Sequence, residues 1–224
     1  MSNLESVDMG KEFIELFEEW ADHYDETVTG HDLEYKEVFR HYEAILAEVA
    51  KRTFGHVIEF GPGTGNLTEE LLKRGRTVTA FEPSPAMRKL AQEKIGNRAE
   101  IKEGDFLSFE FKKSVQSIVS SYAFHHLTDK EKAEAIAAYG NILELGGKIV
   151  FADTMYQSVE AYKQAIKDAS EKGFHNLAED LEREYYTTIP ILKEMLEANH
   201  FTVSFEKMND FVWIMEALKN KKEV

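Results

Sequence analysis

Apolar and polar positions follow two alternating periodicities between residues 56 and 152. Short β-branched and aromatic runs, typical of buried strands, are separated by stretches with apolar residues three and four positions apart, typical of helices. Strands are predicted at 57–60, 77–82, 99–102, 116–120 and 148–152, with helices at 67–74, 86–95 and 129–145. Because strands that alternate with helices pair in parallel through right-handed crossovers, the pattern predicts an α/β fold.

Two helical patterns precede the first predicted strand. Apolar residues at helical spacing occupy 13–24, and a second stripe predicts a helix from Asp32, as its cap, to about Arg52. We interpret residues 9–54 as an N-terminal helical cap. Residues 1–8 show no periodicity and are interpreted as a tag remnant or leader.

The pattern changes after the fifth predicted strand. A charged helical stretch at 158–186 has its expected break at Gly173, and a further helix is predicted at 189–199. Strands at 201–207 and 211–215 then flank a turn and form a predicted hairpin, hence an antiparallel pair at the end of the sheet. The predicted organisation is one domain over 9–224, with a core at 55–154, a helical insertion at 155–188 and a C-terminal helix and hairpin at 189–224.

The segment after the first strand has glycines at alternate positions, Gly61, Gly63 and Gly65. Glycine adopts positive φ readily and lets a ligand lie against the backbone. The following helix N-terminus adds unpaired N–H groups. The segment is therefore a candidate cofactor cradle, and Glu82, 21 positions after Gly61, is placed to accept ribose hydroxyls.

The glycine spacing separates two cofactor classes. The nicotinamide dinucleotide fingerprint is G-x-G-x-x-G, but Asn66 follows Gly65, so the pattern is not met. Glu59, two positions before Gly61, would repel a pyrophosphate nearby. A cationic ligand is therefore favoured over a dinucleotide. The position of Asn66 and the presence of Glu59 leave a nicotinamide-dependent oxidoreductase as the weaker alternative.

Composition and charge narrow the partner classes. The chain has 224 residues, of which 43% are hydrophobic and only four are proline, as expected of a folded domain with a real core. A net charge of −14 disfavours nucleic acid and anionic membranes and favours a small-molecule or neutral substrate. The absence of cysteine excludes disulfides. Because the sequence has neither an apolar run long enough to span a membrane nor a signal-peptide pattern, the expected location is cytoplasmic. Neither an H-E-x-x-H metal motif nor a G-x-S-x-G elbow occurs, so neither a metal site nor a serine hydrolase is predicted.

Six motifs occur in the order found in one enzyme family. They are Trp20–Asp25 at the N-terminus, Glu59–Gly65 at the glycine turn, Glu82–Met87, Gly104–Phe106, Ser120–Leu127 and Leu145–Gly147. The set resembles the class I S-adenosylmethionine-dependent methyltransferases of the type 11/25 group. From Met9 onward the chain resembles the YrrT-type methyltransferases of bacilli, for which no substrate follows from the resemblance.

The resemblance implies a Rossmann-like three-layer sandwich, a seven-stranded mostly parallel sheet with an antiparallel last strand, and S-adenosyl-L-methionine as cofactor. The implied cofactor-binding residues are Gly61, Gly63, Glu82, Asp105, Met87, Phe106, Ser121 and Tyr24. The two glycines would approach the methionyl part, Glu82 the ribose hydroxyls and Asp105 the adenine amine. Met87 and Phe106 would pack at the adenine ring.

Ser121 is implied to lie near the methionyl group, and Tyr24 is implied to close over the cofactor. Methyl transfer is an in-line displacement, so alignment and desolvation supply most of the acceleration. His125 and His126 fall near the implied methyl-transfer end, where one of them is a candidate base or a group that orients the acceptor.

The predicted activity is methyl transfer to a small-molecule acceptor. Candidate residues for the acceptor pocket are His31, Tyr35, Arg40, Tyr42, Tyr156, Tyr162, Tyr185 and Tyr186. The alternative from another class is a regulatory module that binds the cofactor without turnover. The sequence leaves the acceptor atom and the oligomeric state open.

Overall fold

The structure, a computed structural model, describes residues 32–220. The strands are β1 (His56–Phe60), β2 (Thr77–Phe81), β3 (Glu100–Lys102), β4 (Val115–Ser121), β5 (Leu143–Thr154), β6 (Phe201–Lys207) and β7 (Val212–Lys219). The helices are α1 (Tyr42–Arg52), α2 (Asn66–Lys73), α3 (Pro85–Ile95), α4 (Asp129–Ile142), α5 (Val159–Glu171), α6 (His175–Arg183) and α7 (Ile189–Ala198), with 3₁₀ turns at Gly96–Arg98 and Phe124–His126.

The strands form one seven-stranded sheet in the order β3-β2-β1-β4-β5-β7-β6. The first five strands are parallel, and β7 runs antiparallel to both β5 and β6. The predicted parallel core and C-terminal hairpin are confirmed. The direction of travel along the sheet reverses between β1 and β4, and ligands of such sheets bind in the crevice beyond the carboxyl ends of the strands at this point.

Helices cover both faces of the sheet because side chains alternate along each strand. On β5, Ile149 and Phe151 belong to a core cluster shared with α4 and α7. Val150 and Ala152 point the other way, into a cluster shared with α1 and α2. Burial on both faces explains why the central strands read as continuous apolar runs rather than as alternating patterns. The predicted three-layer arrangement is confirmed.

Several helix boundaries agree with their local signals. Gly75 follows α2 with φ 72°, and its N–H donates to the Leu72 carbonyl, as a C-terminal glycine should. The Thr128 side chain caps α4 and forms a reciprocal capping box with Glu131. Gly173, with φ 77°, lies between α5 and α6, so the predicted break in the insertion is confirmed.

The predicted extension of α4 to residue 145 is wrong. The helix ends at Ile142, and Leu143 is already extended and paired with Val115. Gly146 therefore does not cap the helix but adopts φ 80° within β5. A Cβ on Gly147 would lie 2.9 Å from the Glu144 carbonyl oxygen, so the glycine pair serves a close backbone approach inside the strand.

The predicted helix from Asp32 is also wrong in its first half. Residues 33–38 form turns, in which the Asp32 carboxylate accepts the Glu34 N–H at 2.9 Å. His41 adopts φ 68°, a left-handed conformation that interrupts any helix, and α1 begins only at the next residue. The helix predicted at 13–24 lies outside the described residues.

Residues 103–114, for which the sequence predicted no element, contain neither a helix nor a strand. Among residues 32–220, no helix is both long and apolar enough to cross a membrane.

Candidate functional site

The glycine turn after β1 lies against the loop after β4. Gly61, Gly63 and Gly65 have φ values of 63°, 56° and 90°, in the left-handed region that glycine tolerates best. A Cβ built on Gly61 would lie 2.9 Å from the Cβ of Ala123. The Gly61 N–H donates to the Phe81 carbonyl at 3.0 Å, which fixes the turn to β2. The turn therefore leaves no room for a side chain at Gly61 and presents bare backbone at the switch point of the sheet.

Glu82 lies beside this turn and is 4% exposed. Its Oε2 accepts the Gly63 N–H at 3.0 Å, and its Oε1 accepts the Ser84 N–H at 2.9 Å. Burial raises the pKa of Glu82 to about 7, although the two backbone hydrogen bonds oppose the shift. A carboxylate has about four acceptor positions, so Glu82 retains capacity for the hydroxyls of a ligand.

Glu59 forms the second buried carboxyl of the site, at 1% exposure. Its Oε2 accepts the Thr68 hydroxyl at 2.6 Å, whereas its Oε1 has no hydrogen-bond partner among residues 32–220. Burial raises the pKa of Glu59 to about 8; the Thr68 hydrogen bond opposes this shift and the charge of Glu82 adds to it. An unpaired buried carboxyl oxygen is costly, and beside a glycine cradle it fits a cationic ligand.

Asp105 lies on the adjoining edge, after β3. Its Oδ1 accepts the N–H groups of Leu107 at 2.8 Å and Ser108 at 2.6 Å, which shapes the loop into a tight turn. A cleft of about 740 Å³ opens beside it, and its wall includes Phe81 and Pro83. The cleft is large enough for a ring system such as a nucleobase.

Met87 and Phe106 are core residues in this structure. Met87 is 2% exposed on α3, and Phe106 is 7% exposed. The Phe106 ring packs between Phe60 and Phe124, with centroids 5.4 Å from each. Their side chains support the cradle from within, and the predicted contacts with a nucleobase stay predictions.

Tyr122, which directly follows β4, was not predicted as a site residue. Ser121 is the last residue of β4, one position beyond the predicted strand end, and pairs with Ala152; Tyr122 follows with φ 52°. Its ring centroid lies 5.4 Å from that of Tyr42, and its hydroxyl is buried without a partner in the described part of the chain. A bulky residue with positive φ costs about 1–3 kcal/mol and is typical of functional loops. Its motif position was visible in the sequence, but its backbone conformation was not.

His125 is enclosed by two carboxylates. Its Nδ1 lies 2.6 Å from Asp153 Oδ1, its Nε2 lies 2.9 Å from Glu184 Oε2, and its side chain is 10% exposed. Burial alone would lower the pKa of His125, but Asp153 and Glu184 outweigh it and raise the pKa to about 10. The backbone N–H of His125 also donates to Asp153 at 3.1 Å. Because both ring nitrogens are engaged, His125 has no free lone pair with which to accept a proton from an acceptor.

His126 has the opposite electrostatics. Burial, and next the charge of His125, lower the pKa of His126 to about 3, so its imidazole is neutral. The two rings are 4.2 Å apart. Burial lowers the pKa of both histidines; in His125 the two carboxylates outweigh this effect, whereas in His126 the charge of His125 adds to it.

Lys132 joins this cluster from α4 and is 1% exposed. Its Nζ donates to the Leu127 carbonyl and, at 2.6 Å, to the Tyr185 carbonyl. Burial lowers the pKa of Lys132 to about 8. Because the Tyr185 N–H also donates to the His125 carbonyl at 3.1 Å, the end of the insertion is fastened to the loop after β4. Asp153, Glu184 and Lys132 were not predicted as site residues. For Asp153 the sequence offered one signal, an acid at the end of the fifth predicted strand.

Sequence relatives identify the family. The chain is 58% identical over 212 residues to the uncharacterized methyltransferase YrrT of Bacillus subtilis (strain 168), covering 94% of this chain and 100% of the relative. It is 56% identical over 211 residues to an uncharacterized methyltransferase of Bacillus thuringiensis (strain Al Hakam), with the same coverage. The chain belongs to this methyltransferase family. A family described as "Methyltransferase domain" matches residues 57–147, from β1 into β5.

Solved structures confirm the fold of this methyltransferase. Magnesium protoporphyrin IX methyltransferase (ChlM) from Synechocystis PCC 6803 with bound SAM superposes with a TM-score of 0.69 at 14% identity, covering 98% of this chain and 100% of that one. The DhpI–SAH complex superposes with a TM-score of 0.70 at 15% identity, covering 97% and 100%. The predicted Rossmann-like sheet with its antiparallel last strand is the methyltransferase fold.

The tyrosines predicted for the acceptor side of the methyltransferase divide into two groups. Tyr156 and Tyr162 stack with centroids 4.8 Å apart, and Tyr186 stacks on His125 at 4.9 Å. These rings join the insertion to the loop after β4, and the Tyr156 hydroxyl is buried without a hydrogen-bond partner among residues 32–220. The structure therefore brings these three rings together beside the loop after β4.

The remaining candidates lie elsewhere or contribute differently. Tyr35 donates its hydroxyl to Asp180 on α6. Arg40 is turned to the surface, where it pairs with Glu37 at 2.8 Å, so the structure does not bring it to the site. Tyr185 contributes backbone groups, as described above. Tyr24 and His31 lie outside the described residues.

Proposed function

We propose that this methyltransferase moves the methyl group of S-adenosyl-L-methionine to a small-molecule acceptor and leaves S-adenosylhomocysteine. The observation that carries the proposal is the pair of buried carboxyl groups, Glu59 and Glu82, beside bare glycine backbone. This pair suits a ligand with a cationic head and a ribose. A pyrophosphate would face two buried acids, so the same observation disfavours a nicotinamide dinucleotide.

The cofactor prediction, S-adenosyl-L-methionine, is confirmed at the level of the family and of the solved structures that contain it or S-adenosylhomocysteine. We assign Gly61 and Gly63 to the methionyl part and Glu82 to the ribose hydroxyls. Asp105 is assigned to the adenine amine across the cleft after β3. The remaining cofactor assignments are the supporting residues Met87, Phe106 and Ser121, together with Tyr24.

When bound, the cofactor supplies an electrophilic methyl group on a sulfonium. The chain's own contribution is to hold that group in line with the acceptor and to exclude water. We assign His125 an orienting role rather than that of a base; the contacts of its ring nitrogens with Asp153 and Glu184 support this assignment. His125 thereby holds the Tyr186 ring and the end of the insertion at the acceptor side.

A small-molecule acceptor is supported by charge and enclosure. The net charge of −14 opposes a polyanionic acceptor. The aromatic rings of Tyr156, Tyr162 and Tyr186 enclose one side of the proposed site, as expected for a small acceptor rather than for a polyanion in a basic groove. The net charge therefore disfavours nucleic acid and anionic membranes as acceptors.

Two experiments test the function. Calorimetry with S-adenosylmethionine, S-adenosylhomocysteine and NAD should show binding of the first two only, and binding of NAD alone would refute the proposal. Transfer of a radiolabelled methyl group into an extract of cell metabolites should then label a small molecule. Cofactor binding with no labelled product across the extract would favour the regulatory module instead.

Removing the carboxylate assigned to the ribose, or the one assigned to the adenine, should weaken cofactor binding. Glu82→Ala and Asp105→Ala are each expected to reduce the affinity for S-adenosylhomocysteine by about 1–3 kcal/mol, because a charged hydrogen-bond partner is lost. Calorimetry measures the change, and Glu93→Ala on the exposed side of α3 is the matched control. Wild-type affinity in a folded Glu82 variant would contradict the assigned role.

Cofactor binding should release protons near neutral pH. The pKa values of Glu82 and Glu59, about 7 and about 8, are raised in the free protein, so both carboxyls are substantially protonated at pH 6.5. Hydroxyl and ammonium donors of the ligand favour the carboxylate, so affinity should rise as the pH increases from 6 to 8. Calorimetry of S-adenosylhomocysteine binding in buffers of different ionisation enthalpy measures the protons released.

The raised pKa values of Glu59 and Glu82 also determine how folding stability depends on pH. Both groups bind a proton more tightly when folded, so their stabilisation of the free protein is present below their unfolded pKa, about 4.3, and is lost as the pH rises through 7 to 8.

Glu82→Gln should reduce the proton release on ligand binding. Equal heats in all buffers for the wild type would show that neither carboxyl ionises on binding.

A further inference from the structure

One ligand atom from each of His125, His126 and Glu184 lies within 4.8 Å of the other two. The two histidines belong to the 3₁₀ turn after β4, and Glu184 directly follows α6. The fold thus brings together metal-ligating groups from two segments about 60 residues apart. Solvent does not separate them, since the side chains of His125 and Glu184 are only 10% and 9% exposed.

Asp153 supplies the outer support that such a site needs. Histidines that bind metals almost always donate the other ring N–H to a carboxylate or carbonyl, which fixes the tautomer. Nδ1 of His125 lies 2.6 Å from Asp153 Oδ1, which directs Nε2 toward Glu184. Asp153 is itself held by the backbone N–H groups of His125 at 3.1 Å and of Thr154 at 2.7 Å.

We propose that His125, His126 and Glu184 form a binding site for a divalent transition-metal ion, with Asp153 as its outer support. Two imidazoles and one carboxylate suit Zn²⁺ and leave at least one coordination position open. Ligand atoms of a tetrahedral zinc site lie roughly 3.3 Å apart, so the 2.9 Å contact between His125 and Glu184 opens slightly and the widest separation contracts.

The ion would tie the insertion to the loop after β4. Glu184 lies at the end of the insertion, whereas both histidines lie on the core. The site therefore joins the turn after β4 to the end of α6, on the side that we propose for the acceptor. It was absent from the sequence expectation because its ligands follow no short metal motif.

The test is Zn²⁺ binding to the metal-stripped full chain, by calorimetry against a competing chelator. The wild type should bind one high-affinity ion, and His126→Ala and Glu184→Gln should each weaken that affinity at least tenfold. Asp153→Asn, which keeps the side-chain volume, should weaken it by about 10–100-fold through the outer support. His175→Ala removes an exposed histidine of the same insertion and should leave the affinity unchanged.

Cobalt provides a second readout that does not depend on activity. Co²⁺ should give visible absorption bands of a low-coordinate site in the wild type and in His175→Ala, and these bands should be lost in His126→Ala. Thermal unfolding and S-adenosylhomocysteine binding verify that each variant is folded. Absence of a high-affinity Zn²⁺ ion in the wild type, or equal affinity in the wild type and Glu184→Gln, would overturn the proposal.

Discussion

Gly61→Val should abolish detectable cofactor binding while the chain remains folded. The residue has φ 63°, and its added Cβ would lie 2.9 Å from that of Ala123, inside the closest approach of real side chains. A β-branched residue at positive φ is strained by about 1–3 kcal/mol, and its methyl groups would occupy the backbone cradle. We expect at least a ~100-fold loss of S-adenosylhomocysteine affinity, or ~2.8 kcal/mol, measured by calorimetry.

Gly75→Val is the matched control for this variant. Gly75 has φ 72° at the end of α2, but no atom beyond its immediate neighbours lies within 4 Å of an added Cβ. Both variants therefore place valine at a left-handed φ, but only Gly61→Val adds the contact with Ala123 in the cradle. Comparable melting temperatures with cofactor affinity lost only in Gly61→Val would support the cradle; equal affinity in the two variants would refute it.

The core of the fold was predictable because its signals are local. Each central strand is buried on both faces and reads as a continuous apolar run, as in β1, while glycine and capping residues mark helix ends such as Gly75. The errors arose where strand pairing or backbone conformation overrides the local helical pattern. Residues 143–145 continue a helical pattern, but pairing of Leu143 with Val115 draws them into β5. His41 interrupts the predicted helix with a left-handed backbone conformation, which a histidine in the sequence does not indicate.

The site was predictable only in its sequential part. Glu59, Gly61 and Glu82 lie at strand ends within one βαβ unit, so their spacing in the sequence maps directly onto the site. Glu184 joins His125 across 59 positions, through an insertion whose path the periodicity does not specify. The sequence offered two adjacent histidines as candidates for a base. In the structure His125 is a cation held by carboxylates, whereas His126 is a neutral ring.

Lys132→Met should destabilise the protein more than most core substitutions, although it removes a charge from the interior. The Lys132 ammonium donates to the Leu127 and Tyr185 carbonyls, and it lies 5.9 Å from the centroid of the Phe124 ring. Methionine fills a similar volume but leaves both carbonyls without this donor. At about 1–3 kcal/mol for each unsatisfied buried group, we expect a loss of ~2–4 kcal/mol in the free energy of unfolding, measured by urea denaturation.

Burial also determines how this loss depends on pH. The pKa of Lys132 is lowered to about 8, so the folded state releases its proton more readily than the unfolded chain. The lysine is therefore least favourable at low pH, and the stability it confers rises as the pH increases from about 8 to about 10.4. The difference in unfolding free energy between wild type and Lys132→Met should follow that sign. Lys130→Met, whose side chain is 87% exposed on the same helix, should change stability by less than about 0.5 kcal/mol. If the two variants were equally stable, the carbonyls of Leu127 and Tyr185 would not depend on Lys132, and the end of the insertion would be held by the His125–Glu184 contact instead.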